Sequence, residues 1–133
     1  MANVLVYLHT ITVENIYNTM QTQLTQILEG LGFEKKESLV YLACLELGEA
    51  LNTAIAQKSK LNRITNYEIL KRLEKRGVVA SFKKRRGKFF IAINPKILIE
   101  KAKDRLSQVE ASLPEIQSIA RQSIRAPRIY YFE

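Results

Sequence analysis

The chain has 133 residues, 47% of them hydrophobic, with 21 Lys and Arg against 13 Asp and Glu and a formal net charge of +8. That length holds one domain, or one domain with a helical arm, and the apolar fraction excludes a disordered chain. One cysteine (Cys44) and one histidine (His9) exclude an internal disulfide framework and leave no metal site, no cofactor site and no Ser-His-Asp or Cys-His constellation to propose.

In chain order, residues 1–10 read as a frayed or weakly strand-like start. The apolar run Val4–Leu8 has no basic segment before it and is far shorter than the ~20 residues that span a bilayer, so no membrane partner is expected and a cytoplasmic protein is. Thr10 or Thr12 caps a helix whose stripe is Ile16, Met20, Leu24, Ile27, Leu28 and Leu31, ended by Gly30 and Gly32. Glu34–Leu47 is a second helix with Val40, Cys44 and Leu47 on one stripe, which makes Cys44 a small core residue rather than a nucleophile. A short helix, Asn52–Lys58, turns Ile55 and Ala56 inward and leads through Ser59-Lys60-Leu61 to a longer helix, Asn62–Arg76. Gly77 stops that helix in the left-handed position.

After Gly77 the period changes. Val78–Phe82 and Lys88–Ile93 read as two strands joined by the five-residue loop Lys83-Lys84-Arg85-Arg86-Gly87, a β-hairpin that Asn94-Pro95 ends. A helix from Lys96 to about Ile124 follows, with Leu106, Val109, Leu113, Ile116 and Ala120 at heptad spacing. That stripe either packs on its own domain or joins two copies of the chain; the arm is long for so small a body, which favours a homodimer. Pro114 kinks or restarts the helix, because proline has no N–H for residue 110. Arg128–Phe132 reads as a lone strand. The expected organisation is therefore an extension and helix start over 1–19, a folded head over 20–95, a dimerisation helix over 96–126 and a terminal strand over 127–133.

The charge is concentrated. Between Lys58 and Lys88 lie twelve basic residues and only Glu68 and Glu74, a local charge of +10; the remaining nine basic and eleven acidic residues sum to −2. A basic segment on a near-neutral body is an electrostatic footprint for a polyanion. Two helices, a turn, a third helix and a basic hairpin are the parts of a winged helix–turn–helix, a mainly α fold with a small β-hairpin (α+β). A helix fits the major groove of double-stranded DNA and presents side chains to base edges, and a charged wing meets the backbone or the minor groove. On the third helix Asn66, Ile69, Leu70 and Leu73 face the core. Arg63, Thr65 and Tyr67 are placed near base edges and Lys71 and Lys75 near phosphates; Asn62 and Ile64 complete the DNA-binding candidates of this helix, and Lys83, Lys84, Arg85, Arg86 and Lys88 form those of the wing. Ile64 either meets a thymine methyl or packs under the wing, and Tyr67 either reads DNA or is structural with its ring half buried.

These residues resemble the winged-helix domain of the TrmB family of transcriptional regulators, common in archaea and often tied to sugar metabolism. The resemblance runs through Leu31-Gly32-Phe33, Glu37, Val40-Tyr41-Leu42-Ala43, Leu45-Glu46-Leu47-Gly48, Ile55-Ala56, Tyr67-Glu68-Ile69-Leu70, Leu73–Val79, Gly87-Lys88, Phe90, Ala92 and Asn94-Pro95, and covers about 95 residues with the helix that follows. It implies a sequence-specific, homodimeric DNA-binding regulator; the alternative is a winged helix that binds protein instead. The chain departs from the family at three places. Asn66 stands where a β-branched apolar residue is usual, Ile64 where a polar or small one is, and Lys60 where glycine is frequent. In the family a strand like Pro127–Phe132 opens a ligand-sensing domain. The resemblance therefore reads this chain as a truncated copy or fragment, or as one whose sensor was lost, with no small-molecule site expected.

Overall fold

The computed structural model describes residues 2–124. Its elements are α1 (Ala2–Gly30), α2 (Lys35–Leu47), β1 (Ala50–Leu51), α3 (Asn52–Ser59), α4 (Arg63–Lys75), β2 (Val79–Lys84), β3 (Gly87–Ala92), α5 (Pro95–Ala111) and α6 (Leu113–Ile124). The chain divides into two compact units, Met1–Ile93 and Asn94–Glu133.

In the first unit α1 begins at Ala2, not at Thr10 or Thr12. The frayed or strand-like start expected for residues 1–10 is corrected: Ala2–Leu8 carries no Gly or Pro to interrupt the helix, and so short an apolar run has no period of its own. Of the α1 stripe only Leu28 is buried. Helix α2 opens with a capping box: Glu34 is the N-cap and its backbone N–H donates to Glu37 Oε1 at 2.9 Å. Val40 and Cys44 are fully buried, whereas Leu47 at the helix end is exposed. Burial pushes the Cys44 thiol up to about 12, so it stays protonated at neutral pH. In the native protein Cys44 should therefore resist alkylation until the body unfolds; reaction at the rate of a free thiol would contradict this packing.

Helices α3 and α4 meet through a turn in which Lys60 holds φ 62°, the one positive φ among the described non-glycine residues. That conformation explains why glycine suits this position. Lys60→Gly should stabilise the fold by roughly 0.5–1 kcal/mol, read as a rise of a few degrees in Tm; an unchanged or lower Tm would contradict the turn geometry. Asn62 caps α4, its side chain accepting from the Ile64 N–H at 2.8 Å. The other end is a Schellman motif, with Gly77 N–H to Glu74 O at 2.9 Å, Val78 N–H to Leu73 O at 3.0 Å, and Leu73 and Val78 both buried.

The sheet has the order β1-β3-β2, all antiparallel. Strand β1, two residues long, went unanticipated because two residues cannot display alternation. The expected five-residue wing loop is corrected to two residues. Lys83 pairs with Lys88 and Lys84 with Gly87, leaving Arg85-Arg86 at the tip. A run of cations shows no polar/apolar alternation, so the strand ends were invisible in sequence. Phe90, fully buried, and the Tyr41 hydroxyl, donating to Ile93 O at 2.7 Å, fasten the sheet to the helical layer.

In the second unit Asn94 caps α5, accepting from the Lys96 N–H at 3.0 Å, with Pro95 in the first turn. The single helix expected from Lys96 to Ile124 is interrupted at Ser112, and α6 restarts with Pro114 in its first turn, where a missing N–H costs nothing. Leu106, Val109, Leu113, Ile116 and Ala120 are all exposed. The expected strand Arg128–Phe132 lies outside the described residues.

Candidate nucleic-acid interface

Asn66 occupies the core face of α4 and is fully buried. Its amide is satisfied on both sides. Oδ1 accepts from the Ser59 hydroxyl at 2.9 Å, and Nδ2 donates to Asn52 Oδ1 at 2.8 Å. Asn52 Nδ2 in turn donates to the Arg63 carbonyl at 3.1 Å. A polar chain thus ties α3 to the first turn of α4, where an apolar side chain would make only packing contacts. Among the described residues no buried side-chain polar atom lacks a partner, so the amide carries no unsatisfied-group penalty.

This network sets the rotation of α4. Arg63, Ile64, Glu68, Lys71 and Lys75 are exposed, and Thr65 and Tyr67 are half-buried. Ile64, at 72% exposure, does not pack under the wing. Tyr67 joins helix to wing: its ring meets Phe90 edge-on, with centroids 6.2 Å apart, and lies beneath Lys71 Nζ at 4.8 Å and Lys88 Nζ at 5.9 Å. The face of Tyr67 therefore gathers two cations, one from each element. Glu74 makes a second bridge, accepting from the Ser81 hydroxyl at 2.7 Å and pairing with Lys88 at 3.9 Å.

The twelve basic residues are not equivalent. Arg72 and Arg76 lean back to the buried Glu37, at 3.8 and 3.4 Å, and Arg76 also covers the Phe33 ring. Lys58 pairs with Glu46 at 2.9 Å, Lys84 with Glu49, and Lys88 with Glu74. The remaining seven, Lys60, Arg63, Lys71, Lys75, Lys83, Arg85 and Arg86, are exposed and have no described carboxylate within 4 Å. Lys60 was not among the DNA-facing residues expected from the sequence. Its signal was the charge itself, in a turn position where glycine is frequent. Asn62, expected among the DNA-facing residues, uses its side chain as the helix cap. The other candidates stand on the outer side of α4 or in the hairpin. Among the described residues there is no cluster of metal-ligating side chains and no helix long and apolar enough to cross a membrane.

A helix tied to its neighbour by a satisfied polar network thus stands beside a cationic two-stranded wing, the arrangement of a winged helix–turn–helix. A family model described as the sugar-specific transcriptional regulator TrmB matches residues 28–96, just over half of the chain. The chain belongs to the TrmB family, which consists of transcriptional regulators and not of enzymes. The HTH-type sugar-sensing transcriptional regulator TrmBL1 of Pyrococcus furiosus is 28% identical over 104 residues, covering 77% of this chain and 30% of that protein. The fold is similar to that of TrmBL2, described as an archaeal chromatin protein, with a TM-score of 0.67 and 18% identity over 79% of this chain and 40% of that one. A MarR-family regulator from Silicibacter pomeroyi superposes with a TM-score of 0.51 and 14% identity over 90% of this chain and 88% of that one. The chain thus spans well under half the length of its TrmB-type relatives.

Proposed function

We propose that this chain is the DNA-reading head of a cytoplasmic transcriptional regulator. Helix α4 enters the major groove of double-stranded DNA, and the Arg85-Arg86 tip meets the adjacent backbone or minor groove. The observation that carries the reading is the sorting of charge: seven cations stand unpaired on α3–α4 and the wing, while Arg72 and Arg76, from the same segment, are held against the body. Lys71, Lys75, Lys83, Arg85 and Arg86 meet phosphates; Arg63, Thr65 and the exposed Ile64 approach base edges, Ile64 facing a thymine methyl. Tyr67 holds the helix against the wing and steers Lys71 and Lys88. Two copies, joined through Leu106, Val109, Leu113, Ile116 and Ala120, present two such helices to a pseudo-palindromic site.

Arg63→Ala tests the reading head. It should close the gap between a selected site and random duplex by about 5- to 150-fold, the worth of one good base contact at ~1–3 kcal/mol. An unchanged ratio would remove Arg63 from base recognition. The exposed Ile64 also supports the second reading, a protein-binding winged helix; on that reading affinity for DNA is weak, and Ile64→Asp abolishes capture of a protein partner instead.

A further inference from the structure

Asn52 stands where the sheet hands over to the helices. It directly follows β1, whose Ala50 and Leu51 pair with Phe90 and Phe89 of the wing strand β3, and it is the first residue of α3. Short polar side chains at a helix start ordinarily bond the backbone of that same helix. Here the N-cap position holds Leu51, without a side-chain cap, and the Asn52 amide reaches across to α4 at both ends. Its Nδ2 donates to the Arg63 carbonyl at 3.1 Å, and its Oδ1 accepts from Asn66 Nδ2 at 2.8 Å. One half-buried side chain thus joins β1, α3 and the first turn of α4.

Of the two bonds, the one to Arg63 acts on the reading surface itself. Arg63 is the first residue of α4, in the turn where a helix frays most readily. Its exposed side chain stands on several rotatable bonds. A base contact from such a side chain is worth most when its backbone is already in place, because ordering it on binding subtracts from the affinity. The phosphate contacts assigned to Lys71, Lys75 and the wing carry no base information and tolerate a shift of the helix end. Holding Arg63 therefore bears on which duplex is bound and not on whether one is. We propose that Asn52 is a positioning residue for base recognition: through the Arg63 carbonyl it fixes the first turn of α4 relative to the wing, and thereby sets sequence discrimination. The inference rests on the reading of α4 as the major-groove helix.

The test uses the full chain, well below the Tm of each variant, and two duplexes of equal length. One carries the site the chain selects from a random-sequence library, and the other is scrambled. Asn52→Ala should narrow the affinity ratio between them about 5-fold or more, the lower end of what one base contact is worth, with affinity for the scrambled duplex unchanged. In an Arg63→Ala background the same substitution should narrow the ratio no further, since the two residues act through one contact. Asn52→Asp keeps an acceptor for Asn66 Nδ2 but turns an oxygen towards the Arg63 carbonyl, so it should narrow the ratio as Asn52→Ala does. Ser59→Ala removes the other hydrogen bond of the Asn66 amide and leaves Arg63 held; it should lower Tm and keep the ratio. Four results would each overturn the proposal: a ratio unmoved by Asn52→Ala where Arg63→Ala narrows it, equal losses on both duplexes, additive losses in the double variant, or a ratio narrowed as much by Ser59→Ala. A ratio unmoved by Arg63→Ala would remove the reading of α4 itself, and the proposal with it.

Discussion

Alanine at Lys83, Arg85 and Arg86 together should lower duplex affinity by roughly 500-fold at 0.1 M monovalent salt. Each phosphate contact releases about 0.9 of a counterion, so three contacts are worth about 2.7 decades at that concentration. The loss should be nearly the same for two unrelated duplexes, because backbone contacts position the protein and carry no base information. Lys84→Ala and Lys88→Ala should each cost far less. Their ammonium groups are already engaged by Glu49 and Glu74, and exchanging an exposed ion pair for a phosphate returns only the difference between two weak interactions. Titration of labelled duplex with the four proteins checks the ranking. Unchanged affinity in the triple variant would remove the wing from the DNA surface; a loss at Lys84→Ala as large as a third of the triple variant's, in log K, would show that the carboxylate pairs do not compete.

The second large effect is on stability. Asn66→Ala removes a fully buried side chain together with both of its hydrogen bonds, to Ser59 and Asn52. Cavity and lost bonds together put the cost at about 2–4 kcal/mol, a fall in Tm of 10 °C or more for a body of this size. Asn66→Val fills most of the volume with a β-branched apolar side chain. It leaves Ser59 within reach of the Ala56 carbonyl at 3.3 Å, and Asn52, which is only half-buried, free to turn to water. Its cost should stay near 1 kcal/mol. Thermal unfolding of the two variants decides the matter. A loss at Asn66→Val as large as that at Asn66→Ala would mean the amide network is essential to the fold, and an unperturbed Asn66→Ala would mean that it contributes nothing.

What the sequence disclosed depended on whether a residue's role was local. Gly77 announced the end of α4 because only a residue tolerant of positive φ closes a Schellman turn cheaply, and the structure gives it φ 75°. Cys44, Ile55, Ile69, Leu70 and Leu73 revealed the core through helical period, and all five are buried. Asn66 was flagged as an amide in need of partners, but the partners lie on another helix, seven and fourteen residues away, and no local pattern names them. The same limit applied to charge. Composition located the +10 segment, yet Arg72 and Lys71 are neighbours in sequence with different partners: one pairs with Glu37, the other lies over Tyr67. Exposure of the α1 stripe was equally hidden, since an amphipathic period reports an apolar face and not what covers it.

In the proposed function the α3–α4 turn, α4 and the wing form a phosphate-binding surface of five to seven cations without a carboxylate partner. The most direct test is the salt dependence of duplex binding by the full chain, taken as the slope of log K against log salt between 50 and 200 mM. Neutralisation of five to seven phosphates per head predicts a slope between about −4.5 and −6.3 for each head bound. A slope near zero would contradict the claim and place the function of this surface elsewhere.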